Sequence, residues 1–393
     1  MTKPQFTLIP SAYRVNKVYS VLPVDGSGDM TFSRGGEATR VREDGLIENV
    51  LSNTPRLNWL NSNCPSLLLE PQRTNLQVYS EEFDNVAWIK SRTTITANDT
   101  ISPNGKLTAD KITGDGTGTS YVYDEISLTN GNTYAISIFV KPIINISSFA
   151  INVFGGVGTA AFDLINKTIG TLTGDFTSAK IEDYGNGWLR CSGTLTLSST
   201  TGTKNIGYGL FNFNGDQFYL FGAQVEEGYY PTSYIKTEAS TVTRLKDECI
   251  NGGDSDLFNI TEGSFFVDVL PYNAGLVSTI SLSNNSTSQR ILIQFQSNGT
   301  QVRLFSSGGV SNYQTITFNQ RNKILVTFKL NEYKFYINGA LVSTDTSATV
   351  PTSLDRLNFS NSTANSDFFQ GEVNDTRIYD KVLTEAEAIK LTT

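Results

Sequence analysis

Cleaving a glycosidic bond takes two carboxyl groups held at a set separation across it, one as acid and one as base or nucleophile. The sequence offers few pairs that could be placed so. Glu81-Glu82 and Glu226-Glu227 are adjacent and point apart in an extended chain. Glu372-Val-Asn-Asp375 is the nearest acidic pair in the last third, and its spacing puts the two carboxylates on opposite faces of a regular strand. No E-x-D-x-x-E run, which would line carboxylates along one strand, is present. Histidine is absent from all 393 residues, which removes the commonest general base and the commonest metal ligand together. Ser-His-Asp and Cys-His catalysis cannot be assembled from this chain alone. The chain is therefore expected not to be an enzyme.

Binding chemistry is better represented. Sugar rings present apolar faces that stack on exposed aromatic side chains, while amides and hydroxyls bond their hydroxyl groups. Trp88, Tyr121, Tyr123 and Tyr184 are the candidates in the middle of the chain, and Tyr313 and Tyr336, with Tyr333 equally placed, those near its end. Packing inside a core is the competing use for each. Trp188, in GNGWLRCSG, opens a strand after a tight turn and alternates with Arg190, which suits a core anchor. Gly155-Gly156-Val157-Gly158 follows an apolar strand, but neither a helix pattern nor Lys-Ser/Thr comes after it. A phosphate loop is excluded, and a glycine-rich loop at a sandwich rim is expected.

The elements that would position these residues are strands. TYAISIFVK sets Tyr134, Ile136, Ile138 and Val140 on one face and Ala135, Ser137 and Phe139 on the other. KNIGYGLFNF and DQFYLFGAQVE repeat the pattern, with turn signals at Asp115-Gly116, Asn130-Gly131, Asn186-Gly187 and Asn214-Gly215. A second series follows Gly263: GSFFVDVL, QRILIQFQ, TQVRLFSS, NKILVTFKL and YKFYINGALVS, the last with Asn338-Gly339 as a two-residue hairpin. Thr384 and Glu387 make a capping box for one short helix. Before all of this, residues 1–75 mix short apolar runs with Arg34, Arg40, Arg42, Arg56 and Arg73. Arginine suits ordered ion pairs and backbone contacts, so this stretch is expected to be extended, with few strands of its own. It should pack on a neighbour and not fold alone.

Composition agrees with an all-β chain. Phe (23) and Tyr (17) supply core material, while Met (2) and charged residues (17%) are scarce. A net charge of −8 without a basic stripe argues against nucleic acid. Cys64, Cys191 and Cys249 are odd in number and lack ligand spacing, so buried free thiols are expected. The opening MTKPQFTLIPSAYR has no apolar run of signal-peptide length and no stretch approaches a membrane span, so cytoplasmic synthesis without a cleaved leader and no membrane partner are expected.

Two resemblances sharpen this. FSRGGEATRVREDGLIENVLSNTPRLNW, LLLEPQRTNL and FDNVAWIK, followed by AISIFVK, AFDLINKTIGT, GNGWLRCSGTLTL, YLFGAQVEEGYYPTSYIKT and TVTRLKD, resemble bacteriophage virion proteins of the tail-fibre and head-fibre type over residues 18–247. In those proteins the block leads into a carbohydrate-binding-module-like jelly roll. NKILVTFKLNEYKFYINGALVS and FQGEVNDTRIYDKVLTEAEAIKL are similar to concanavalin-A-like (laminin-G-like) lectin domains over residues 260–393. The resemblance implies an extended N-terminal attachment or oligomerisation region at 1–75, a jelly roll at 76–245, a linker at 246–262 and a concanavalin-A-like sandwich at 263–393. It implies a virion surface location, other virion proteins as partners, and a homotrimer. Such domains often carry a structural calcium. Asp115 and Asp124 would supply oxygen ligands, as would Asp254 and Asp256, though neither set has the spacing of a defined loop and turns explain them better.

The reading is thus an all-β protein of two antiparallel sandwiches that binds host-surface or environmental polysaccharide during adsorption. A purely architectural capsid or tail protein is the alternative, and a polysaccharide depolymerase a third. Fold alone does not choose among them.

Overall fold

A computed structural model describes residues 2–60, 62–144, 148–210, 214–362 and 366–393. Apart from the helix Glu385–Thr392, its regular structure is strand, and the named strand pairs are all antiparallel.

The middle of the chain forms a sandwich of two six-stranded sheets. Its front sheet runs Ile89–Ser91, Ser120–Leu128, Gly202–Leu210, Ser148–Val153, Gly158–Asp163, Thr168–Leu172 in spatial order. Its back sheet runs Thr93–Ile101, Leu107–Asp115, Asn214–Glu227, Thr133–Ile144, Leu189–Thr196, Phe176–Asp183. Alternation sends Tyr134, Ile136, Ile138 and Val140 into the core between them, against Phe149, Ile151, Ile206 and Tyr208. Asn214-Gly215 does not form a turn: it opens the long strand Asn214–Glu227.

The other face of Thr133–Ile144 is also buried, with Ala135, Ser137 and Phe139 excluded from solvent. The cover comes from the N-terminal region. The hairpin Ala38–Val41 and Ile47–Val50 lays Val41 and Ile47 on Ala109, Phe139, Trp188, Phe221 and Tyr234 of the back sheet.

The last third forms the second sandwich. A five-stranded sheet runs Val310–Thr315, Gln301–Ser306, Arg290–Phe295, Ser278–Ser283, Arg356–Asn358. Facing it, an eight-stranded sheet centres on Glu262–Pro271 and Gly371–Tyr379. The free edge of Gly371–Tyr379 is closed by chain from the far N-terminus. Phe6–Leu8 pairs with Thr376–Ile378 and Ser66–Leu69 with Gly371–Val373. An edge strand left open would present unpaired amides and carbonyls. Phe6, Leu8, Met30, Phe32, Leu57, Leu67 and Leu69 enter the same core as Phe265, Ile280 and Phe335. The N-terminal residues therefore contain more strand than an extended reading anticipates, and as many of their strand pairings are with distant chain as with one another. Within 246–262, Glu248–Ile250 pairs with Met30–Ser33.

Local signals hold at two points. Asn338 (φ 46°) and Gly339 (φ 84°) are both left-handed and join Glu332–Ile337 to Ala340–Asp345, as a two-residue hairpin requires. Thr384 Oγ1 accepts from the Glu387 amide, and the Glu387 carboxylate accepts from the Thr384 amide, completing the capping box.

Cys191 and Cys249 are buried thiols, and burial pushes both up from the ordinary range. Cys64 corrects the expectation: it sits in an exposed polar turn where no core covers it. No helix among the described residues is long and apolar enough to cross a membrane.

Candidate functional site

On Ser120–Leu128, Val122 and Ile126 point into the core, so Tyr121 and Tyr123 face outward from the front sheet. Their neighbours on the adjacent strand are glycines: Tyr121 lies opposite Gly209 and Tyr123 opposite Gly207. On the next strand Asn152 lies opposite Gly207, and Phe154 folds back over the same glycine from the loop that follows. A Cβ at position 207 would stand 2.6 Å from the Phe154 ring, so a side chain there would lift the ring off the sheet. The three rings form one cluster, with centroids 5.7 Å apart for Tyr121–Tyr123, 4.9 Å for Tyr121–Phe154 and 5.9 Å for Tyr123–Phe154.

All three rings are half-buried, and neither tyrosine hydroxyl is bonded to a described residue. Asn152 Oδ1 accepts from Thr159 Oγ1 at 3.1 Å, and its amide NH2 has no partner among the described residues. The cleft among these side chains holds only about 10 Å³. The arrangement is a platform bordered by hydrogen-bonding groups. It can stack a flat apolar face and bond hydroxyls at its margin, but cannot enclose a ligand.

The other sequence candidates separate cleanly. Trp88 is not a stacking residue. It is 1% exposed, packs on Phe83 and Tyr208, and donates its indole N–H to the Tyr79 carbonyl at 3.0 Å. Tyr184 is buried edge-on to Phe139 at 4.8 Å, under the N-terminal hairpin that closes the back sheet. Tyr336 is buried beneath the C-terminal helix with Leu383 and Leu391, because that helix covers the outer side of the eight-stranded sheet. Tyr333 is likewise in the core. Trp188 is the core anchor its strand position implies, bonded to the Ile101 carbonyl at 3.1 Å. Tyr313 alone among the later tyrosines is open, 49% exposed on an edge strand.

Asp115 and Asp124 lie in different sheets and have different partners. Asp115 caps its own turn, accepting from the Thr117 amide at 2.9 Å and hydroxyl at 2.8 Å, and these bonds lower its pKa. Asp124 is half-buried and accepts from Gln77 Nε2 at 2.6 Å. Burial, outweighing that bond, raises its pKa. Among the described residues no group of three carboxylate, thiol or imidazole side chains is placed to hold a metal.

Glu372 and Asp375 do not point apart as regular alternation requires. The ladder slips between Val373 and Asp375, which pair with Val269 and Asp268 respectively, so Asn374 is the extra residue of a β-bulge. Glu372 and Asp375 thus share the outer face, but each is engaged. Glu372 accepts from Ser66 Oγ at 2.6 Å and Tyr272 Oη at 2.9 Å, and burial raises its pKa. Asp375 pairs with Arg377 at 2.6 Å, and its neighbour Asp268 with Arg321 at 2.5 Å.

The arginines of the N-terminal region build the junction between the sandwiches. Arg56 reaches Glu70 Oε2 at 2.6 Å, the Thr39 carbonyl at 3.0 Å, and Asp247. Arg34 bonds Asp247 Oδ1 at 3.0 Å and four backbone carbonyls. Arg244 joins Glu70 from the exit of the first sandwich, and Ser233 donates its amide to Glu70 Oε1 at 2.7 Å. All five charged groups are excluded from water. Burial would push Glu70 up, but Arg244 and Arg56 together pull it down to about 2.

Three outward groups escape the sequence reading. Phe154 is the first. Trp59 is the second: it is half-buried, lines an open cleft of about 560 Å³ with Tyr13, Arg40 and Glu48, and has no indole partner among the described residues. The third, Arg290, Arg303 and Phe305 beside the candidate Tyr313, lies on the outer face of the five-stranded sheet. There the Arg303 guanidinium carbon sits 4.6 Å from the Phe305 centroid and 5.3 Å from that of Tyr313, while that of Arg290 sits 5.1 Å from Phe305.

Residues 265–388 match the model of the concanavalin A-like lectin/glucanases superfamily. No curated protein matches the chain. Solved structures similar to it include the Ruminococcus gnavus IT-sialidase CBM40 bound to alpha2,3 sialyllactose, at 15% identity over 37% of this chain and 94% of that one, TM-score 0.31. Domain 4 of AbnA, an extracellular arabinanase from Geobacillus stearothermophilus, in complex with arabinotriose, matches at 18% identity over 41% and 81%, TM-score 0.32. A putative carbohydrate binding protein from Bacteroides ovatus matches at 9% identity over 70% and 80%, TM-score 0.28. At these scores the structural likenesses carry nothing about what this chain binds.

Proposed function

We propose that this protein is a non-catalytic glycan-binding component of a bacteriophage fibre or appendage, engaging host-surface or environmental polysaccharide through the Tyr121–Tyr123–Phe154 platform. One observation carries the binding reading: three rings share an outward sheet face over Gly207 and Gly209, with both tyrosine hydroxyls unpartnered among the described residues. Aromatic rings kept on a surface with unspent donors beside them suit an amphipathic ligand such as a pyranose. The match of residues 265–388 to lectin-like domains supports a second sandwich of the same general kind. The engagement of Glu372, Asp375 and Asp268 by hydrogen bonds and ion pairs supports a role without catalysis.

The virion assignment rests on the resemblance of residues 18–247 to tail-fibre and head-fibre proteins. Arg34, Arg56, Glu70, Arg244 and Asp247, which join in the buried junction, all fall within that stretch. A homotrimer remains the expectation of the same resemblance.

The test compares wild type with Tyr121→Leu/Tyr123→Leu on a glycan array. Leucine keeps an apolar cover over the two glycines and removes the stacking faces. The expected result is binding to at least one glycan class by wild type and at least tenfold weaker binding by the variant, about 1.4 kcal/mol. Binding to no glycan, with a tight complex to a capsid or tail protein, would favour the architectural reading. Release of reducing ends from a bound polysaccharide would overturn the non-catalytic one.

A further inference from the structure

The outer face of the five-stranded sheet carries two arginines that form no ion pair among the described residues. In a chain of net charge −8, Arg34, Arg56, Arg244, Arg321 and Arg377 each meet a carboxylate. Arg290 and Arg303 meet none within 4.0 Å among the described residues, yet both are ordered against the Phe305 ring. Arg303 donates to Ser311 Oγ at 3.1 Å, and among the described residues its only other hydrogen-bond partner is Gln294 Oε1 at 3.5 Å. Arg290 donates to Asn361 Oδ1 at 2.8 Å and Ser362 Oγ at 3.1 Å, while its Nε is buried without a partner among the described residues. The Asp367 charge bears on Arg290 without pairing with it, its carboxylate accepting instead from the Asn361 amide at 2.9 Å. Burial and the neighbouring Arg303 charge both lower the Arg290 pKa, the direction an unneutralised pair gives.

We propose that Arg303 and Arg290 form a second saccharide site, selective for a carboxylate borne on a sugar ring. A guanidinium offers a planar fork of two N–H donors that matches a carboxylate in two parallel hydrogen bonds. Tyr313, half exposed and beside Arg303, supplies a ring face for the sugar that carries the acid. Phe305 holds both cations in place and leaves them little side-chain freedom to lose on binding. The site shares no residue with the Tyr121 platform, so either can fail without the other.

Calorimetric titration with tetragalacturonate, its methyl ester and a sulfated tetrasaccharide tests this on the full chain. Wild type should bind the acid at least tenfold more tightly than the neutral ester, and more weakly in 300 mM than in 20 mM NaCl. Arg303→Gln should lose at least tenfold in affinity for the acid, and Arg303→Lys should lose part of it, because charge remains while the fork is gone. Tyr121→Leu/Tyr123→Leu should leave this binding unchanged. Arg290→Gln also releases Asn361 and Ser362, so a melting curve accompanies it, whereas Arg303 is half-exposed and gives the cleaner reading. Equal affinity for acid and ester, an Arg303→Gln variant that binds as wild type does, or binding of the sulfated sugar but not the uronate would each overturn the proposal. Binding of both anionic sugars, the uronate the more tightly, with loss in Arg303→Gln supports it.

Discussion

At the scale of the residue, burial decided what each candidate can do. Trp88 and Tyr184 have the right chemistry for stacking, but they face inward, and no local pattern reports that. Trp88 follows FDNVA, where no strand alternation fixes its direction, and Tyr184 is buried by chain more than a hundred residues upstream. Tyr121 and Tyr123 were legible because Val122 between them and Ile126 after them fix their face. Phe154 could have been found the same way, one step past Val153.

Two carboxyl groups give opposite pH signatures. Glu70 is held at about 2 by its arginines, against an ordinary value of 4.5. It favours folding when ionised, so its contribution is complete above pH ~4.5 and is lost as pH falls towards ~2. Asp110 is raised to about 6 by burial, despite accepting from the Phe83 and Asn98 amides at 2.8 Å each. Its folded state holds a proton the unfolded chain releases, so it costs stability as pH rises from ~4 through ~6, at most about 3 kcal/mol. Chemical denaturation of Asp110→Asn should therefore show a smaller loss of stability between pH 4 and 7 than wild type. Glu70→Gln should cost roughly 3–5 kcal/mol at pH 7, because Arg56 and Arg244 lose a buried partner. A wild-type-like midpoint for Glu70→Gln would contradict the ion cluster as described.

At the scale of the element, strand periodicity gave most of both sandwiches, the Asn338-Gly339 hairpin and the capped helix. It missed the bulge at Asn374, because an inserted residue leaves no mark on composition and reverses facing for all that follows. It also missed that Phe6–Leu8 and Ser66–Leu69 join the free edge of a strand formed three hundred residues later. Pairing at such separation depends on which edge is open, which is a property of the folded partner.

The alternation of Gly207 and Gly209 with Ile206 and Tyr208 was visible in KNIGYGLF, and it marks where rings lie close on the backbone. Gly207→Val sets side-chain carbon where Phe154 now sits. The expected outcome is a displaced Phe154, a loss of glycan binding of tenfold or more, and destabilisation of about 1–3 kcal/mol. Array binding and a urea titration on the same variant measure both. Full binding would mean that the ring's position is irrelevant to recognition.

At the scale of the whole molecule, the N-terminal residues are shared property. They complete the core of the second sandwich, cover the back sheet of the first, and supply three of the five buried charges at the junction. The expectation that residues 1–75 pack on a neighbour has a specific form here: the neighbours are both sandwiches. Thermal unfolding of the full chain should then be one calorimetric transition. A chain starting at Asn75 should lose the second sandwich's cooperativity, since Phe6, Leu8, Phe32, Leu67 and Leu69 leave its core at about 1.5–3 kcal/mol each. Two well-separated transitions in the full chain would contradict this coupling.

The central claim is that this molecule is built to present an aromatic platform to a glycan. Its most direct test is the position of a bound oligosaccharide, taken from the best array ligand, in a crystal structure of the complex. The account predicts a sugar ring stacked on Tyr121, Tyr123 or Phe154, with Asn152 bonding one of its hydroxyls. A saccharide seated elsewhere with the platform bare would contradict it.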